Sequence, residues 1–205
     1  MPENTGAIVR ATPADAETAA RLILMAYGDF TYTMLGCKHE AEATACFAKL
    51  WPLKNNRFSH EHSFVAKADG KPVAVMTCHP GTYCNRLIPP TVFALLKTGR
   101  AKFLWHLLTH LRKFLQIAST VEAGAGEFYI ATLAVLPEHR GLGTGAKMLR
   151  LAKALARKHG LYRCSLLVEA GNTGGIRFYE RHGFAKAGYT GKPHPYFRMV
   201  AGTEG

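Results

Sequence analysis

The sequence predicts a single α/β domain built on a mixed β-sheet. Predicted strands and helices alternate through the second half of the chain, and this alternation favours parallel neighbouring strands. In the first half, Asp69-Gly70 separates two strand-like segments, which indicates an antiparallel hairpin because both turn positions favour positive φ. A hydrophobic share of 48% is sufficient for a core, and 205 residues fit one domain spanning residues 1–205.

The first half of the chain is expected to contain three strands and at least two helices. Residues 7–11 are predicted to form a strand, and Thr12-Pro13 should begin a helix because threonine is a good N-cap and proline suits the first helical position. One or two short helices are expected over residues 30–53. Residues 63–67 and 72–78 would form the two strands of the hairpin.

A helical insertion is expected after the hairpin, at about residues 88–120. Apolar side chains recur there at helical spacing, and Thr98-Gly99 is expected to divide the insertion into two helices. The rest of the chain alternates regularly. Strands are predicted at 127–136, 163–169, 185–189 and 196–200, and helices at 144–158 and 174–182. About seven strands therefore form the sheet, with helices on its flanks.

Charge, cysteine content and hydropathy restrict the partners and the compartment. The formal net charge of +12 favours an anionic partner, such as a nucleotide cofactor, a nucleic acid or a membrane surface. Five cysteines without a CxxC pair argue against a disulfide framework and against a zinc site. No apolar run is long enough to span a bilayer, and no secretory signal is visible at the start. We therefore expect a cytoplasmic protein with no metal and no membrane partner.

The segment after the predicted strand at 127–136 has the composition of a phosphate-binding loop. Gly141, Gly143 and Gly145 lie around the start of the next helix, and glycine lets the backbone approach an anion closely. The N-terminal turn of a helix also offers unpaired N–H groups and a positive dipole end. Arg140 adds a positive charge, so the segment predicts a pyrophosphate site.

Other phosphate loops can be distinguished from this one by spacing. A dinucleotide fingerprint would place its last glycine, or an alanine, at position 146, which is Ala146, and would need an acidic residue such as Glu169 after the next strand. The upstream hairpin and the short remaining chain do not favour the doubly wound sheet of that class. A P-loop is excluded because no Gly-Lys-Ser/Thr follows the glycines. A glycine-rich turn that only packs strand against helix stays open.

Two motifs resemble those of the GNAT acetyltransferases, and the resemblance is best over residues 128–184. Arg140-Gly141-Leu142-Gly143-Thr144-Gly145 is similar to the family's pyrophosphate loop, Q/R-x-x-G-x-G/A. Asn172 through Gly183-Phe184 is similar to its second signature, an Asn followed by a helix that carries Tyr-Glu. The chain departs from the family at Gly174-Gly175, where alanine is common, and each glycine should loosen the helix by about 1 kcal/mol.

The resemblance also has implications for the fold. It implies a central sheet that splays apart beside the cofactor, with the helical insertion placed before the cofactor strand. In this layout the chain is similar to puromycin-type antibiotic acetyltransferases. The activity implied is acetyl transfer from acetyl-CoA to an amine, by direct attack in a ternary complex.

The resemblance implies roles for individual residues. The backbone of Leu133, Ala134 and Val135 would pair with the pantetheine arm, and one of those N–H groups would polarise the thioester carbonyl. The pyrophosphate would be held by backbone amides of Arg140, Gly141, Leu142, Gly143, Thr144, Gly145 and Ala146. Asn172 would bind the pantetheine amide or cap the next helix, and Arg181 would reach the 3′-phosphate or be exposed to solvent.

Three residues are candidates for moving protons. The resemblance places Tyr179 near the sulfur; it lies two helical turns after Asn172 and would donate a proton to the departing thiolate, the alternative being core packing. Glu127 and Tyr129 share one face of the predicted cofactor strand with Leu133 by period-two alternation. Glu127 could act as base through a water, and Tyr129 could lead a water chain to bulk solvent. A solvated carboxylate at a strand start is the commoner explanation for a residue such as Glu127.

Two functions of other classes stay open. A basic nucleic-acid or ribosome-associated module would explain the charge, but the chain lacks interleaved arginines and aromatics, so we expect no specific nucleic-acid partner. A CoA-binding sensor without turnover would not need Tyr179. The acceptor would be a small-molecule or peptide amine. The apolar segment 103–108 suits a core, a substrate lid or a dimer face, so the sequence allows a homodimer.

Overall fold

A computed structural model of the chain describes residues 7–112, 115, 121–190 and 195–204, and these contain a seven-stranded sheet. The strands are β1 (Ile8–Arg10), β2 (Ser63–Ala68), β3 (Lys71–Pro80), β4 (Glu127–Val135), β5 (Arg163–Glu169), β6 (Ala185–Tyr189) and β7 (Tyr196–Gly202). Their order in the sheet is β1-β2-β3-β4-β5-β7-β6. β4 and β5 run parallel, whereas β1–β2, β2–β3, β5–β7 and β6–β7 are antiparallel. The predicted mixed sheet is confirmed.

The helices flank this sheet, and most of them lie where helices were predicted, although the short helix Tyr83–Arg86 was not predicted. They are α1 (Ala16–Tyr27), α2 (Phe30–Leu35), α3 (Glu40–Leu50), α4 (Tyr83–Arg86), α5 (Ile88–Thr109), α6 (Thr144–Lys158) and α7 (Thr173–Arg181). Short 3₁₀ turns lie at Pro13–Asp15, His60–His62 and Pro137–His139. The ambiguous segment 30–53 thus contains two short helices, α2 and α3.

The predicted break at Thr98-Gly99 is wrong, because α5 runs unbroken from Ile88 to Thr109. The Thr98 hydroxyl donates to the Ala94 carbonyl at 2.9 Å, within the helix itself. Buried Leu95 and Phe103, on either side of the pair, pack into the core. Because a glycine costs a helix only about 1 kcal/mol, this packing outweighs it. Residues 113, 114 and 116–120 of the predicted insertion lie outside the described residues.

Local signals set the ends of several elements. Before α1, the Asp15 carboxylate accepts hydrogen bonds from the backbone N–H and the hydroxyl of Thr12, at 2.8 and 2.9 Å. The hairpin turn between β2 and β3 has φ of +49° at Asp69 and +75° at Gly70, as the sequence predicted. Gly160, with φ of +69°, ends α6.

The described residues cluster into two compact units, each with its own buried side chains. Of the described residues, the first unit contains 7–77, 85–112, 115 and 132–145, and the second contains 78–84, 121–131, 146–190 and 195–204. The first core contains Leu22, Ile23, Phe47, Leu50, Trp51, Phe58, Val65 and Val75. Buried in the second unit are Phe128, Ile130, Met148, Leu149, Cys164, Leu166 and Met199. Burying each such side chain contributes roughly 1.5–3 kcal/mol.

All five cysteines lie within the described residues, and all are thiols rather than disulfides. Burial raises the pKa of Cys46, on α3, and of Cys164, on β5, to about 12 in each case. In the part of the chain that the structure describes, no cluster of three or more His, Cys, Asp or Glu could hold a metal ion. None of the helices described there is long and apolar enough to cross a membrane.

Candidate active site

The parallel ladder between β4 and β5 is short. It pairs Glu127 through Ile130 with Arg163 through Leu166, while β4 itself continues to Val135 and β5 to Glu169. The segment from Leu133 to Val135, which the resemblance assigned to the pantetheine arm, therefore lies beyond the last residue of β4 that pairs with β5. A strand segment past the end of a ladder can offer backbone N–H and C=O groups to a ligand.

The glycine loop after β4 has a conformation that requires glycine. Gly141 and Gly143 have φ of +77° and +79°, in the left-handed region that residues with a Cβ rarely adopt. A Cβ added to either residue would meet no other atom within 4 Å. The space beside the Cα of both glycines is therefore open, which leaves room for a ligand at the loop.

Two side chains at this loop fit the same ligand. The exposed Arg140 donates from Nε to the Val135 carbonyl at 3.1 Å, which ties the end of β4 to the loop. Thr144, the first residue of α6, is buried, and its hydroxyl has no hydrogen-bond partner among the described residues. A buried polar atom without a partner costs about 1–3 kcal/mol, so a ligand oxygen would relieve that cost. The loop and the first turn of α6 thus fit a pyrophosphate.

Tyr179 lies on α7 in the second unit, half-buried between two aromatic rings. The centroids of Phe178 and Phe184 are 5.3 and 5.8 Å away, and both rings meet it edge to face. Burial raises the pKa of Tyr179 to about 12. Its phenol therefore keeps its proton at any physiological pH, so it can act as a hydrogen-bond donor but not as a base. The ring itself packs against Phe178 and Phe184.

Asn172 caps α7, which was one of its two predicted roles. Its Oδ1 accepts a hydrogen bond from the Gly175 N–H at 2.8 Å. A Cβ at Gly175 would come within 2.8 Å of the Asn172 side chain, whereas at Gly174 the nearest such atom is 4.0 Å away. Glycine in place of the family's alanine is therefore explained at Gly175, where a methyl group would collide with the Asn172 cap, but not at Gly174. Both Asn172 and Arg181 are exposed to solvent.

Glu127, the first residue of β4, is buried, so its explanation as a solvated carboxylate is wrong. It forms an ion pair with Arg198 on β7 and accepts a hydrogen bond from the Gly124 N–H at 2.8 Å. Burial alone would raise the pKa of Glu127, but the hydrogen bonds from Arg198 and Gly124 and the charge of Arg198 lower it below its usual value. The carboxylate is therefore ionised, and its basicity is weakened.

Tyr129 packs against a histidine on the neighbouring strand. The rings of Tyr129 and His79 are both buried, with centroids 5.8 Å apart. His79 Nδ1 lies 3.0 Å from the Pro80 carbonyl oxygen. Because a carbonyl oxygen only accepts, Nδ1 carries the hydrogen, and the basic nitrogen of the neutral ring is Nε2. An imidazole held in this tautomer can accept a proton.

The structure thus groups the predicted residues differently in the two units. In the first unit, Leu133 through Val135 lead into the loop that carries Arg140, Gly141 and Gly143. In the second, Glu127 meets Arg198, Tyr129 meets His79, and α7 carries Asn172, Tyr179 and Arg181. Ala146 lies in the first turn of α6. The sequence did not indicate His79 and Arg198, because only strand pairing brings them next to Tyr129 and Glu127. Predicting these contacts would have required the register of β3 and β7.

The sequence of this chain matches the acetyltransferase (GNAT) family over residues 29–184, well over half of its length. The chain belongs to this family. GNAT enzymes take the acetyl group from acetyl-CoA, so this GNAT protein is an acetyl-CoA-dependent N-acetyltransferase. The two motifs on which the resemblance rested lie inside the matched region.

Solved acetyltransferases share the fold of this GNAT enzyme. One described as an acetyltransferase is 21% identical, with a TM-score of 0.72, and the match covers 97% of this chain and 100% of that chain. An N-acetyltransferase from Staphylococcus aureus Mu50 is 21% identical, with a TM-score of 0.70 and coverage of 96% and 100%. The PaiA N-acetyltransferase from Thermoplasma acidophilum, in complex with coenzyme A, is 16% identical, with a TM-score of 0.55 and coverage of 96% and 98%. No curated protein sequence matches the chain significantly.

Proposed function

We propose that this GNAT enzyme acetylates a primary amine of a small molecule or peptide, by direct attack on acetyl-CoA in a ternary complex. The observation that supports it most is the loop before α6. There, two glycines with positive φ face open space, next to the buried hydroxyl of Thr144. Bound acetyl-CoA would supply the acetyl group as an activated thioester. The chain would act as one functional domain over residues 1–205, with the insertion at about residues 88–120.

The residues proposed for cofactor binding follow from this loop. Backbone N–H groups from Arg140 to Ala146 would hold the pyrophosphate, where the positive end of α6 and the Arg140 charge both favour an anion. The backbone of Leu133, Ala134 and Val135 would pair with pantetheine. Asn172 would add a contact to pantetheine beside its role as a cap, and the exposed Arg181 would reach the 3′-phosphate.

Tyr179 would donate a hydrogen bond to the departing sulfur. Its pKa of about 12 lies well above the value of about 8.5 that is usual for a thiol, so giving up the proton completely to the thiolate is unfavourable. A donor of this kind stabilises charge on sulfur while keeping its own proton. Full transfer of the proton, the general-acid role, stays a prediction beside this one.

We propose His79 as a base beside the two that the sequence predicted. The amine must lose a proton, and Nε2 of His79 has a lone pair for it in the tautomer set by Pro80. Tyr129, in ring contact with His79, would pass the proton on or order a water. Glu127 could accept a proton through water, but its charge is already shared with Arg198. The pH profile of kcat/KM for His79→Gln, Tyr129→Phe and Glu127→Gln separates the three, because loss of the base removes the acid-side limb.

The decisive experiment measures acetyl-CoA binding and turnover by the full chain. Calorimetry with acetyl-CoA should show binding, and release of the CoA thiol should follow when an accepted primary amine is added. Initial rates with both substrates varied should give intersecting lines, whereas parallel lines would indicate an acetyl-enzyme. No binding at millimolar acetyl-CoA would overturn the proposal. Binding without turnover on a broad panel of amines and peptides would favour the CoA-binding sensor instead.

The cellular setting and further partners are also proposals. Five cysteine thiols without a disulfide suit the reducing cytoplasm, which we propose as the compartment. Any nucleic-acid binding should be weak, independent of sequence and quickly lost with added salt, because only phosphate contacts would contribute to it. Tight binding to one RNA or DNA sequence at physiological salt would contradict this expectation. The homodimer stays a prediction.

A further inference from the structure

Helix α5 carries large apolar side chains on both its buried and its exposed side. Its inner face packs into the core through Ala94, Leu95 and Phe103, which are buried. Large apolar side chains are exposed on the rest of its surface and just beyond its end: Phe93, Leu104, Trp105, Leu108, Leu111 and Leu115. At 3.6 residues per turn, Phe93, Leu104 and Leu108 lie within an arc of about 60°. Trp105 lies about 60° further round the helix. We call all six exposed residues together the outer face of α5.

Such a surface indicates a binding partner. Phe93 is 69% exposed and Trp105 is 71% exposed, in a helix whose opposite side is already buried. A helix that is apolar all round is normally buried all round, and a contiguous exposed apolar patch marks a surface that meets a membrane or another molecule. The buried side chains of the inner face fix α5 to the core, so the helix does not need a partner on its outer face to fold.

The charge of the chain segment that carries this face favours an anionic partner. From Lys71 to Val121 the sequence contains no Asp or Glu, although it contains seven Lys and Arg residues. Of these, Lys97 lies in the same arc as Leu104, and both Lys97 and Arg112 are exposed. A second copy of the chain on this face would bring like charges together, which opposes self-association. An anionic surface would instead be attracted by the exposed Lys97 and Arg112.

We propose that the outer face of α5 docks on an anionic lipid surface. Helices that lie in a membrane interface combine Trp, Phe and Leu with Lys and Arg, which is the composition found here. Tryptophan prefers the headgroup level, and basic residues add attraction to anionic lipids. This proposal is independent of the acetyl-transfer reaction. It revises the expectation of no membrane partner, which rested on the lack of a spanning segment.

The two tryptophans of the chain make a direct test. Trp51 is fully buried and donates from Nε1 to the Thr12 carbonyl at 2.8 Å, whereas Trp105 is exposed. The full chain is mixed with vesicles of phosphatidylcholine and phosphatidylglycerol, or with vesicles of phosphatidylcholine alone. We expect co-sedimentation and a blue shift of tryptophan emission with the anionic vesicles only. Added salt should weaken both, and Trp105→Phe should remove the shift while retaining the sedimentation.

Matched variants distinguish binding through this face from nonspecific adsorption of exposed apolar side chains to vesicles. Leu104→Ser with Leu108→Ser should weaken sedimentation by about tenfold or more, since burial of each leucine contributes enough for such a change. Tyr162→Ser, which removes an aromatic side chain that is 69% exposed elsewhere, should leave it unchanged. Circular dichroism checks that each variant is folded. Failure of the wild type to bind anionic vesicles would overturn the proposal. So would a dimer in which Trp105 is already shielded from a soluble quencher without lipid.

Discussion

The carboxylate of Glu127 on β4 and the guanidinium of Arg198 on β7 form an ion pair across the intervening strand β5. Their side chains are only 7% and 19% exposed, and the Gly124 N–H supplies a further hydrogen bond to the carboxylate. Taking both charges out of water is costly, so the pair itself adds little to stability, but either charge left alone would be strongly unfavourable. Each of the two charged side chains is therefore tolerated in its buried position only because the other is present.

Removing one partner of this pair should cost more than removing both. We expect Arg198→Leu to lower the free energy of unfolding by about 3–5 kcal/mol, because it leaves a buried carboxylate without a counter-charge. The double variant Glu127→Leu, Arg198→Leu should recover much of that loss. Urea unfolding of the wild type, both single variants and the double variant measures this. A double variant less stable than either single one would contradict it.

Acid should destabilise the protein partly through the same residue. The pKa of Glu127 is lowered on folding, so its contribution to stability is fully present above the unfolded value of about 4.3 and is lost as pH falls through the folded pKa. Glu127→Gln should remove this part of the pH dependence in urea unfolding. Asp15, in the first unit, should contribute to acid sensitivity in the same way. Burial raises the pKa of its carboxyl, but Lys67, whose Nζ lies 2.7 Å from Asp15 Oδ1, and Thr12 together lower that pKa below its usual value. A Glu127→Gln protein with the wild-type pH slope would show that the pair does not carry the effect.

The glycine loop can be tested with a control that has the same backbone strain. Gly143 and Gly160 both have positive φ and open space where a methyl group would lie, but only Gly143 lies in the loop before α6. Alanine at either position should cost about 1–2 kcal/mol of stability. Only Gly143→Ala should also weaken acetyl-CoA binding, by about tenfold or more, because the methyl would occupy ligand space. Equal acetyl-CoA affinity of the two variants in calorimetry would refute the assignment.

The adjacent glycines at the start of α7 should respond differently to alanine. Gly174→Ala should raise the free energy of unfolding by about 1 kcal/mol, because its Cβ meets nothing closer than 4.0 Å. Gly175→Ala should give no such gain, since its methyl displaces the Asn172 cap, which is worth about as much. Thermal or urea unfolding compares them. Two equally stabilised variants would mean that the cap does not depend on Gly175.

Tyr179→Phe should lower kcat while leaving the affinity for acetyl-CoA nearly unchanged. A hydrogen bond to a charged group is worth about 1.5–3 kcal/mol, which corresponds to a loss of about 10- to 100-fold in rate. The phenyl ring keeps its contacts with Phe178 and Phe184, so the change isolates the hydroxyl. Tyr162→Phe, at an exposed tyrosine, is the control. Unchanged kcat in Tyr179→Phe, when chemistry limits the rate, would leave Tyr179 a packing residue.

The sequence predicted those features that depend on local signals. The bounds of α6 and β5 were predicted correctly, and so was the hairpin at Asp69-Gly70, because helix periodicity, glycine caps and turn residues act over a few positions. The break at Thr98-Gly99 was predicted wrongly, since packing of Leu95 and Phe103 outweighs a local helix-breaking signal.

Within the candidate site, the sequence indicated the loop but not the neighbours of its proton-transfer residues. The glycines and Asn172 belong to contiguous motifs, and these can be recognised without knowing the sheet. Arg198 lies 71 residues from Glu127, and His79 meets Tyr129 only through strand pairing. Such contacts depend on register between distant segments, and no spacing along the chain encodes them.

The raised thiol pKa values give each unit a chemical reporter of its own. At neutral pH a thiol with a pKa of about 12 is a thiolate in about one molecule in 100,000, and only the thiolate reacts with an alkylating reagent. Cys46 lies in the first unit and Cys164 in the second. Cys164 is buried and Cys46 is half-buried, so each should become more reactive when the structure around it opens and its ordinary acidity returns. The rate at which each cysteine is alkylated therefore measures how often its own unit opens.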